Sequence, residues 1–144
     1  KEYESVMVIA NSIGAFFTMT SLYDRQIEKA LFISPVVNME KLITDMMVWA
    51  GVTESELRNK EKIETTFGET LSWKYLCYVR EHPVVWTIPT HILYGDKDNL
   101  TSYETISDFA NQSKATLAVM KNGEHWFHTE EQMKYLDNWI KRFV

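Results

Sequence analysis

The sequence predicts an α/β fold, in which helices flank a mostly parallel sheet and a helical segment is inserted between two strands. Short apolar runs, typical of buried strands, alternate with stretches of helical periodicity. This alternation implies right-handed crossovers between parallel strands. Residues 38–89 break the alternation because they contain helical patterns and no strand pattern.

Four apolar runs are predicted to be strands, since turn-forming or charged residues bound each of them. They are Val6 to Ile9, Ala30 to Ile33, Thr90 to Tyr94 and Thr116 to Met120. Their continuous apolar character is typical of strands that are buried on both faces. We therefore expect all four to lie inside one sheet.

The helices have recognisable starts. One is predicted from Gly14 to Tyr23, directly after the first strand. Capping boxes begin two others, Thr101-Ser102-Tyr103-Glu104 and Thr129-Glu130-Glu131-Gln132, each ahead of an apolar face. Helical stretches within the insertion are predicted at Met39 to Trp49, Thr53 to Lys62 and Glu69 to Arg80.

Large apolar side chains of the insertion have two interpretations. They either line an apolar pocket or pack the insertion onto the rest of the domain, and apolar residues at helical spacing are usually core. The set is Met39, Met46, Met47, Trp49, Trp73 and Trp86. We favour packing for any one of them.

Composition excludes several classes of function. The 144 residues fit one domain, and 45% hydrophobic residues indicate a globular chain. A net charge of −5 without a basic cluster argues against nucleic acid as a partner. No apolar run is long enough for a membrane span. The single Cys77 fits a reducing compartment, so we expect a cytoplasmic location.

The first predicted strand ends in a serine between small residues, Ala10-Asn11-Ser12-Ile13-Gly14, before the chain turns helical. This segment resembles the nucleophile elbow of the α/β-hydrolase superfamily, G-x-S-x-G, with Ala10 in place of the first glycine. The expected reason for small flanking residues is steric, because the turn leaves little room two places from the serine. In the family the elbow lies near the middle of the chain. The sequence therefore resembles the C-terminal half of a hydrolase, with residues 38–89 as its lid.

Two later loops complete the resemblance. Gly95-Asp96-Lys97-Asp98 is similar to the family's G-x-x-D loop, which implies Asp98 as the acid. Gly123-Glu124-His125-Trp126 is similar to the loop that presents the base, which implies His125. Both loops follow predicted strands, and the order serine, acid, histidine is that of the family. The resemblance thus implies a catalytic triad of Ser12, Asp98 and His125.

Alternatives remain at each position. Ser12 and Asp98 are also ordinary turn residues, and His125 is also consistent with a half-buried structural ring. Asp96 is a rival for the acid and His128 is a rival for the base, although His128 is expected to lie at the rim or beside the N-terminus of the final helix. Together these acids and histidines also offer metal-ligand chemistry, although their spacing matches no known metal motif. We expect neither a metal nor a cofactor.

An acyl-transfer serine also needs donors for the oxyanion. The resemblance implies the backbone N–H of Ile13 as one of them. The family's second donor comes from a loop after an earlier strand, which has no counterpart in these residues. Asn11 and Trp126, the neighbours of Ser12 and His125, are expected to contact the substrate.

Two functions follow as hypotheses. The first is a serine hydrolase that acts on a carboxylic ester or a related small acyl compound. The alternative is a non-catalytic hydrolase-like fragment, or a binding or assembly module. In either case Val6 to Ile9 is expected to become an edge strand. The run contains neither charged residues nor proline, and these are the residues that usually protect an edge from pairing. We therefore expect a homo-oligomer formed through this strand.

Overall fold

The computed structural model describes residues 3–144, so Lys1 and Glu2 of the predicted domain 1–144 lie outside the described residues. Helices and strands alternate along most of this part of the chain. In order they are β1 (Met7–Asn11), α1 (Ser12–Ser21), β2 (Lys29–Ile33), α2 (Met39–Ala50), α3 (Glu54–Lys60), β3 (Lys62–Glu64), β4 (Thr70–Ser72), α4 (Trp73–Glu81), β5 (Thr90–Gly95), α5 (Tyr103–Ser113), β6 (Thr116–Met120) and α6 (Glu130–Ile140).

The main sheet has the strand order β1-β2-β5-β6, and all three neighbouring pairs are parallel. The predicted fold class, a mostly parallel sheet with flanking helices, is confirmed. Because the strands are parallel, their carboxyl ends meet at one edge of the sheet. Asn11, Ile33, Gly95 and Met120 end the strands there.

Burial differs between the inner and outer strands. Leu31 in β2 and Leu93 in β5 are completely buried, as the apolar runs predict. The expectation of burial on both faces is wrong for β1 and β6, where Ile9 is 47% and Val119 is 39% exposed. Each of these strands has one strand neighbour among the described residues. An apolar run therefore does not distinguish an inner strand from an edge strand.

The chain divides into two compact units, and the second comprises Asn38–Val84. The predicted insertion, 38–89, begins at the same residue as this unit, and residues 85–89 group with the first unit. Its all-helical character is wrong, because β3 and β4 form an antiparallel hairpin. The Thr65 backbone N–H donates to the Glu69 carbonyl at 2.9 Å, and Gly68 adopts a left-handed φ of 88° in the turn. Strands of three residues are too short to show alternation in sequence.

The large apolar residues of the insertion have different environments. Met39 and Met47 are buried, consistent with packing. Trp49 is half exposed. Trp86 belongs to the first unit, where its indole N–H donates to Thr90 Oγ1 at 2.7 Å.

A buried cluster lies on the α6 side of the sheet and reaches its carboxyl edge. Its members come from three strands, from the loop after β6 and from α6. They are Leu31, Leu93, Met120, Phe127 and Trp139. Phe127, 4% exposed, anchors the loop between β6 and α6 in this cluster, and that loop carries His125.

Membrane-spanning helices are absent from residues 3–144, since none of the helices there is long and apolar enough to cross a bilayer.

We predict that Gly95→Ala lowers the free energy of unfolding by about 1–3 kcal/mol. A Cβ at Gly95 would overlap the backbone carbonyl of Gly123, which cannot move aside as a side chain can. Chemical denaturation measures the change. Gly14→Ala is the matched control, because a Cβ there has no described atom within 4 Å. Equal stability of the Gly95 variant and the unsubstituted chain would contradict the prediction.

Candidate active site

Ser12 lies at the junction of β1 and α1, with a left-handed φ of 48°. Such a conformation costs a non-glycine residue on the order of 1–3 kcal/mol and persists where surrounding structure enforces it. The Ser12 carbonyl accepts a hydrogen bond from the Val36 backbone N–H at 3.0 Å, which ties the turn to the segment after β2. This geometry agrees with the strained strand-to-helix turn expected from the sequence.

Asp98 lies in the loop that follows β5, and its side chain is fully buried. Its Oδ1 accepts hydrogen bonds from the backbone N–H groups of Leu100 at 2.8 Å and Thr101 at 3.0 Å. These bonds fix the carboxylate and leave Oδ2 free for another donor. Without such partners a buried carboxylate would be unfavourable.

His125 connects the other two side chains. Its Nδ1 is 2.7 Å from Asp98 Oδ2, and its Nε2 is 2.8 Å from Ser12 Oγ. A carboxylate can only accept, so Nδ1 carries the proton and Nε2 is free to accept from the serine hydroxyl. The structure thus joins Ser12, His125 and Asp98 in one hydrogen-bonded chain.

The rival residues have other partners. Asp96 Oδ1 accepts from the Asn122 backbone N–H at 2.6 Å. His128 Nδ1 donates to the Trp126 carbonyl at 2.7 Å. Within the described part of the chain, no group of three or more His, Cys, Asp or Glu residues is arranged to hold a metal ion.

The residues expected to stabilise or contact substrate lie beside the serine. Ile13 is the second residue of α1, so its backbone N–H belongs to the first turn, where helix N–H groups lack intrahelical acceptors. Asn11 and Trp126 line a cavity of about 310 Å³ together with His125. The walls also contain Ile9, Ala10, Ile33, Phe127 and Leu136, so most of the lining is apolar.

The steric expectation at Gly14 is wrong for the described residues. A Cβ added there would have no neighbouring atom within 4 Å. Close packing of glycine occurs instead between Gly95 and Gly123, where the acid loop meets the loop that carries His125.

Three side chains support the site in ways that the sequence did not indicate. Asp96 holds Asn122, whose φ of 60° is also left-handed. The Tyr94 hydroxyl donates to the Thr101 carbonyl at 2.7 Å. The sequence predicts Gln132 only as part of a capping box. In the structure its side chain bonds to Glu124 and to His128, which lie on either side of His125 along the chain. Its low exposure, 5%, is unusual for glutamine and is visible only in the folded structure.

Solved structures with a fold similar to this chain include an α/β hydrolase domain-containing protein and an esterase. Est1E from Butyrivibrio proteoclasticus matches 95% of the chain with a TM-score of 0.68 and 16% identity, and the match covers 62% of Est1E. The α/β hydrolase domain-containing protein 10 from mouse matches 99% with a TM-score of 0.71 and 14% identity, over 64% of its length. A marine microorganism esterase matches 99% with a TM-score of 0.56 and 15% identity, over 71% of its length.

The chain has part of the α/β-hydrolase fold. It spans about three fifths of the length of Est1E and of the mouse protein. No protein-family model and no curated protein sequence matches it. The predicted resemblance to the α/β-hydrolase superfamily is therefore confirmed at the level of fold.

Tyr94 should make the stability of this domain decrease at alkaline pH. Burial, with the charges of Asp98 and Asp96, raises the pKa of Tyr94 to about 12. Since the folded pKa lies above the unfolded one, the contribution of the neutral phenol is complete below about pH 10 and is lost as pH rises through 12. Tyr94→Phe should therefore cost about 1 kcal/mol at neutral pH and progressively less above pH 10.

Urea unfolding of both proteins from pH 7 upward measures this difference. Tyr23→Phe, at an exposed ring, is the control and should give a difference that does not change with pH. A Tyr94→Phe difference that stays constant or grows above pH 10 would show that the phenol is not held in its neutral form.

Proposed function

We propose that this chain carries the nucleophile, base and acid of a serine hydrolase that cleaves a carboxylic ester or a related small acyl compound. The observation that carries the proposal is the hydrogen-bonded series from Ser12 through His125 to Asp98. A serine hydroxyl is a weak nucleophile and needs such a base, which a carboxylate orients.

In the first half of the reaction, Ser12 Oγ attacks the substrate carbonyl carbon while His125 Nε2 takes the hydroxyl proton. Asp98 stabilises the imidazolium that forms and holds the ring in its reactive tautomer. The carbonyl π electrons move to oxygen, giving a tetrahedral oxyanion. When the electrons return, the bond to the leaving alcohol breaks, and His125 gives the proton to the departing oxygen.

Water completes the reaction. His125 Nε2 removes a proton from a water molecule, whose oxygen attacks the acyl carbon bound to Ser12. The ester bond to Oγ then breaks, the proton returns to Ser12 and the carboxylic acid leaves. Both halves of the reaction use Ser12, His125 and Asp98, and water is the only other reactant. Atoms and charge therefore balance without a cofactor.

We assign the Ile13 N–H as an oxyanion donor. It is adjacent to the nucleophile and lies in the first turn of α1, where the helix dipole favours negative charge. Removing one donor from an oxyanion hole typically costs about 10²–10³-fold in turnover. The activity of this chain should therefore depend strongly on whether a second donor is supplied.

Two further observations support the substrate class. Est1E has also been solved with ferulic acid bound, and that structure matches the chain with a TM-score of 0.65. Ferulic acid is a carboxylic acid, the kind of product that ester hydrolysis releases. Asn11 and Trp126 line a mostly apolar cavity with His125, which suits a small acyl or aromatic group.

Labelling by a fluorophosphonate tests the proposed nucleophile, because the reagent reacts with base-activated serines. We predict that Ser12 becomes the modified residue, identified by peptide mass spectrometry. Ser12→Ala should abolish labelling, and His125→Gln should slow it about a hundredfold or more, as loss of a general base does.

His82→Gln is the matched control, because His82 lies in the second unit and its Nδ1 donates to the Tyr78 carbonyl. Circular dichroism establishes that each variant is folded. If the folded chain reacts at Ser12 no faster than the His125 variant does, the proposed activation is wrong.

A second candidate function is assembly through β1, and the exposed edge of the sheet favours it. β1 pairs with β2 alone among the described strands, and Val6 and Ile9 are nearly half exposed. An open edge presents unpaired N–H and C=O groups beside this apolar surface. A second copy offers a strand of the same length, and antiparallel pairing of the two would close a two-fold dimer.

We predict that the chain is a dimer at micromolar concentration by light scattering, and that Ile9→Lys makes it monomeric. A lysine on an edge strand disfavours strand pairing. Val119→Lys, on the opposite edge strand β6, is the matched control and should remain dimeric. A monomeric unsubstituted chain, or a dimer that is insensitive to Ile9→Lys, would overturn the assembly proposal.

The second unit, Asn38–Val84, stays a predicted lid because it lies between β2 and β5 in the chain. The cytoplasmic location likewise stays a prediction from the single Cys77.

A further inference from the structure

His125 lies in a loop between β6 and α6 that we call the histidine loop, residues 121–129. The first part of this loop contacts the acid loop, since the Lys97 N–H donates to the Gly123 carbonyl at 2.8 Å. The imidazole itself is held by Ser12 and Asp98. Phe127 anchors one point of the segment from Glu124 to His128 in the buried cluster, and further contacts hold the ends of that segment.

One buried side chain makes those contacts. Gln132 Oε1 accepts from the His128 backbone N–H at 3.2 Å, and Gln132 Nε2 donates to Glu124 Oε2 at 3.0 Å. A backbone N–H only donates and a carboxylate only accepts, so these partners fix the orientation of the amide. Gln132 thereby bridges the residue before His125 and the third residue after it.

The position of Gln132 on α6 makes the bridge rigid. Gln132 is 5% exposed, and its backbone N–H donates to the capping Thr129 Oγ1 at 3.2 Å. In a capping box the side chain at this position would return to the backbone N–H of the cap residue. Here both ends of the amide are bonded elsewhere, to His128 and to Glu124, so the side chain braces the histidine loop.

We propose that Gln132 is a positioning residue for the proposed hydrolase: its amide closes the histidine loop behind His125 and keeps Nε2 within hydrogen-bonding distance of Ser12 Oγ. The proposal rests on the proposed role of His125 as the base. Neither the sequence motifs nor the fold comparison assigns a role to this glutamine. Gln132 acts through the loop backbone and is not a catalytic residue.

Loss of the amide has a specific consequence. In Gln132→Met the side chain keeps a similar length, but the His128 N–H and the Glu124 carboxylate lose their shared partner. Glu124 is half exposed and can turn to water, which also weakens its 3.5 Å approach to His128 Nδ1. The segment then keeps its Phe127 anchor but loses the buried side chain that joins its two ends. Because base-assisted attack depends on geometry, a displacement of about 1 Å can lower reactivity about a hundredfold.

Two readouts test the proposal on the 144-residue chain. The first is the proton NMR signal of His125 Hδ1, which is shifted downfield while the ring is bonded to Asp98. The second is the rate at which a fluorophosphonate labels Ser12. We expect Gln132→Met to broaden or shift the Hδ1 signal and to slow labelling about ten- to hundredfold. Gln112→Met, at an exposed glutamine of α5, should change neither.

Exchanging the amide and the carboxylate between positions 132 and 124 distinguishes a positioning role of Gln132 from a general effect on stability. Gln132→Glu alone places two carboxylates together and should behave like Gln132→Met. Combined with Glu124→Gln, it restores an amide–carboxylate bond with the roles reversed, and the backbone bond to His128 is kept. The new carboxylate would lie in the first turn of α6, where the helix dipole favours negative charge. Recovery of the Hδ1 signal in the double variant is the expected result.

The outcomes are distinguishable. If Gln132→Met does not fold, Glu124→Ala breaks the same contact from an exposed residue and is scored instead. An Hδ1 signal that changes while Ser12 never reacts, even in the unsubstituted chain, would support the brace and contradict the proposed function. Normal labelling and an unchanged Hδ1 signal in the scored variant would overturn the brace and leave the function standing.

Discussion

The hydrogen bond from Ser12 to His125 joins residues 113 positions apart in the chain, and it depends on the parallel arrangement of the sheet. Parallel strands bring all their carboxyl ends to one edge, so the start of α1 after β1 and the loops after β5 and β6 become neighbours. Each contributes one of the three side chains. An antiparallel pairing of β5 and β6 would send one of these loops to the opposite edge and separate His125 from Asp98.

Backbone geometry at this edge is unusual in three places, and each is supported by a hydrogen bond. Ser12, Ser34 and Asn122 have left-handed φ angles, which are unfavourable for residues with a Cβ. The Ser34 N–H donates to the Leu93 carbonyl at 2.8 Å. Val36 bonds to the carbonyl of Ser12, and Asp96 bonds to the N–H of Asn122. Strain that the fold maintains in this way is characteristic of functional sites, where it presents a side chain to its partners.

The sequence predicted the four strands of the main sheet and their parallel arrangement, and its motifs singled out the three side chains that the hydrogen bonds join, because these features leave local patterns. Apolar runs, capping residues and glycine-containing loops each leave a short pattern. The β3–β4 hairpin was missed because its strands are too short for periodicity. The partner of Asp96 lies 26 residues away in the chain. The partners of Gln132 lie in the histidine loop. No spacing in the chain could indicate either role. At Gly14 the sequence predicted a steric role that the structure does not show, because no described atom lies within 4 Å of a Cβ at that position.

The most direct measurement of the central claim is a crystal structure of the chain after reaction with a small phosphonate. We expect a covalent bond from phosphorus to Ser12 Oγ, with the phosphonyl oxygen accepting a hydrogen bond from the Ile13 N–H. His125 would remain between Ser12 and Asp98. An adduct on another residue, or a phosphonyl oxygen directed away from Ile13 with His125 displaced from Asp98, would contradict the account.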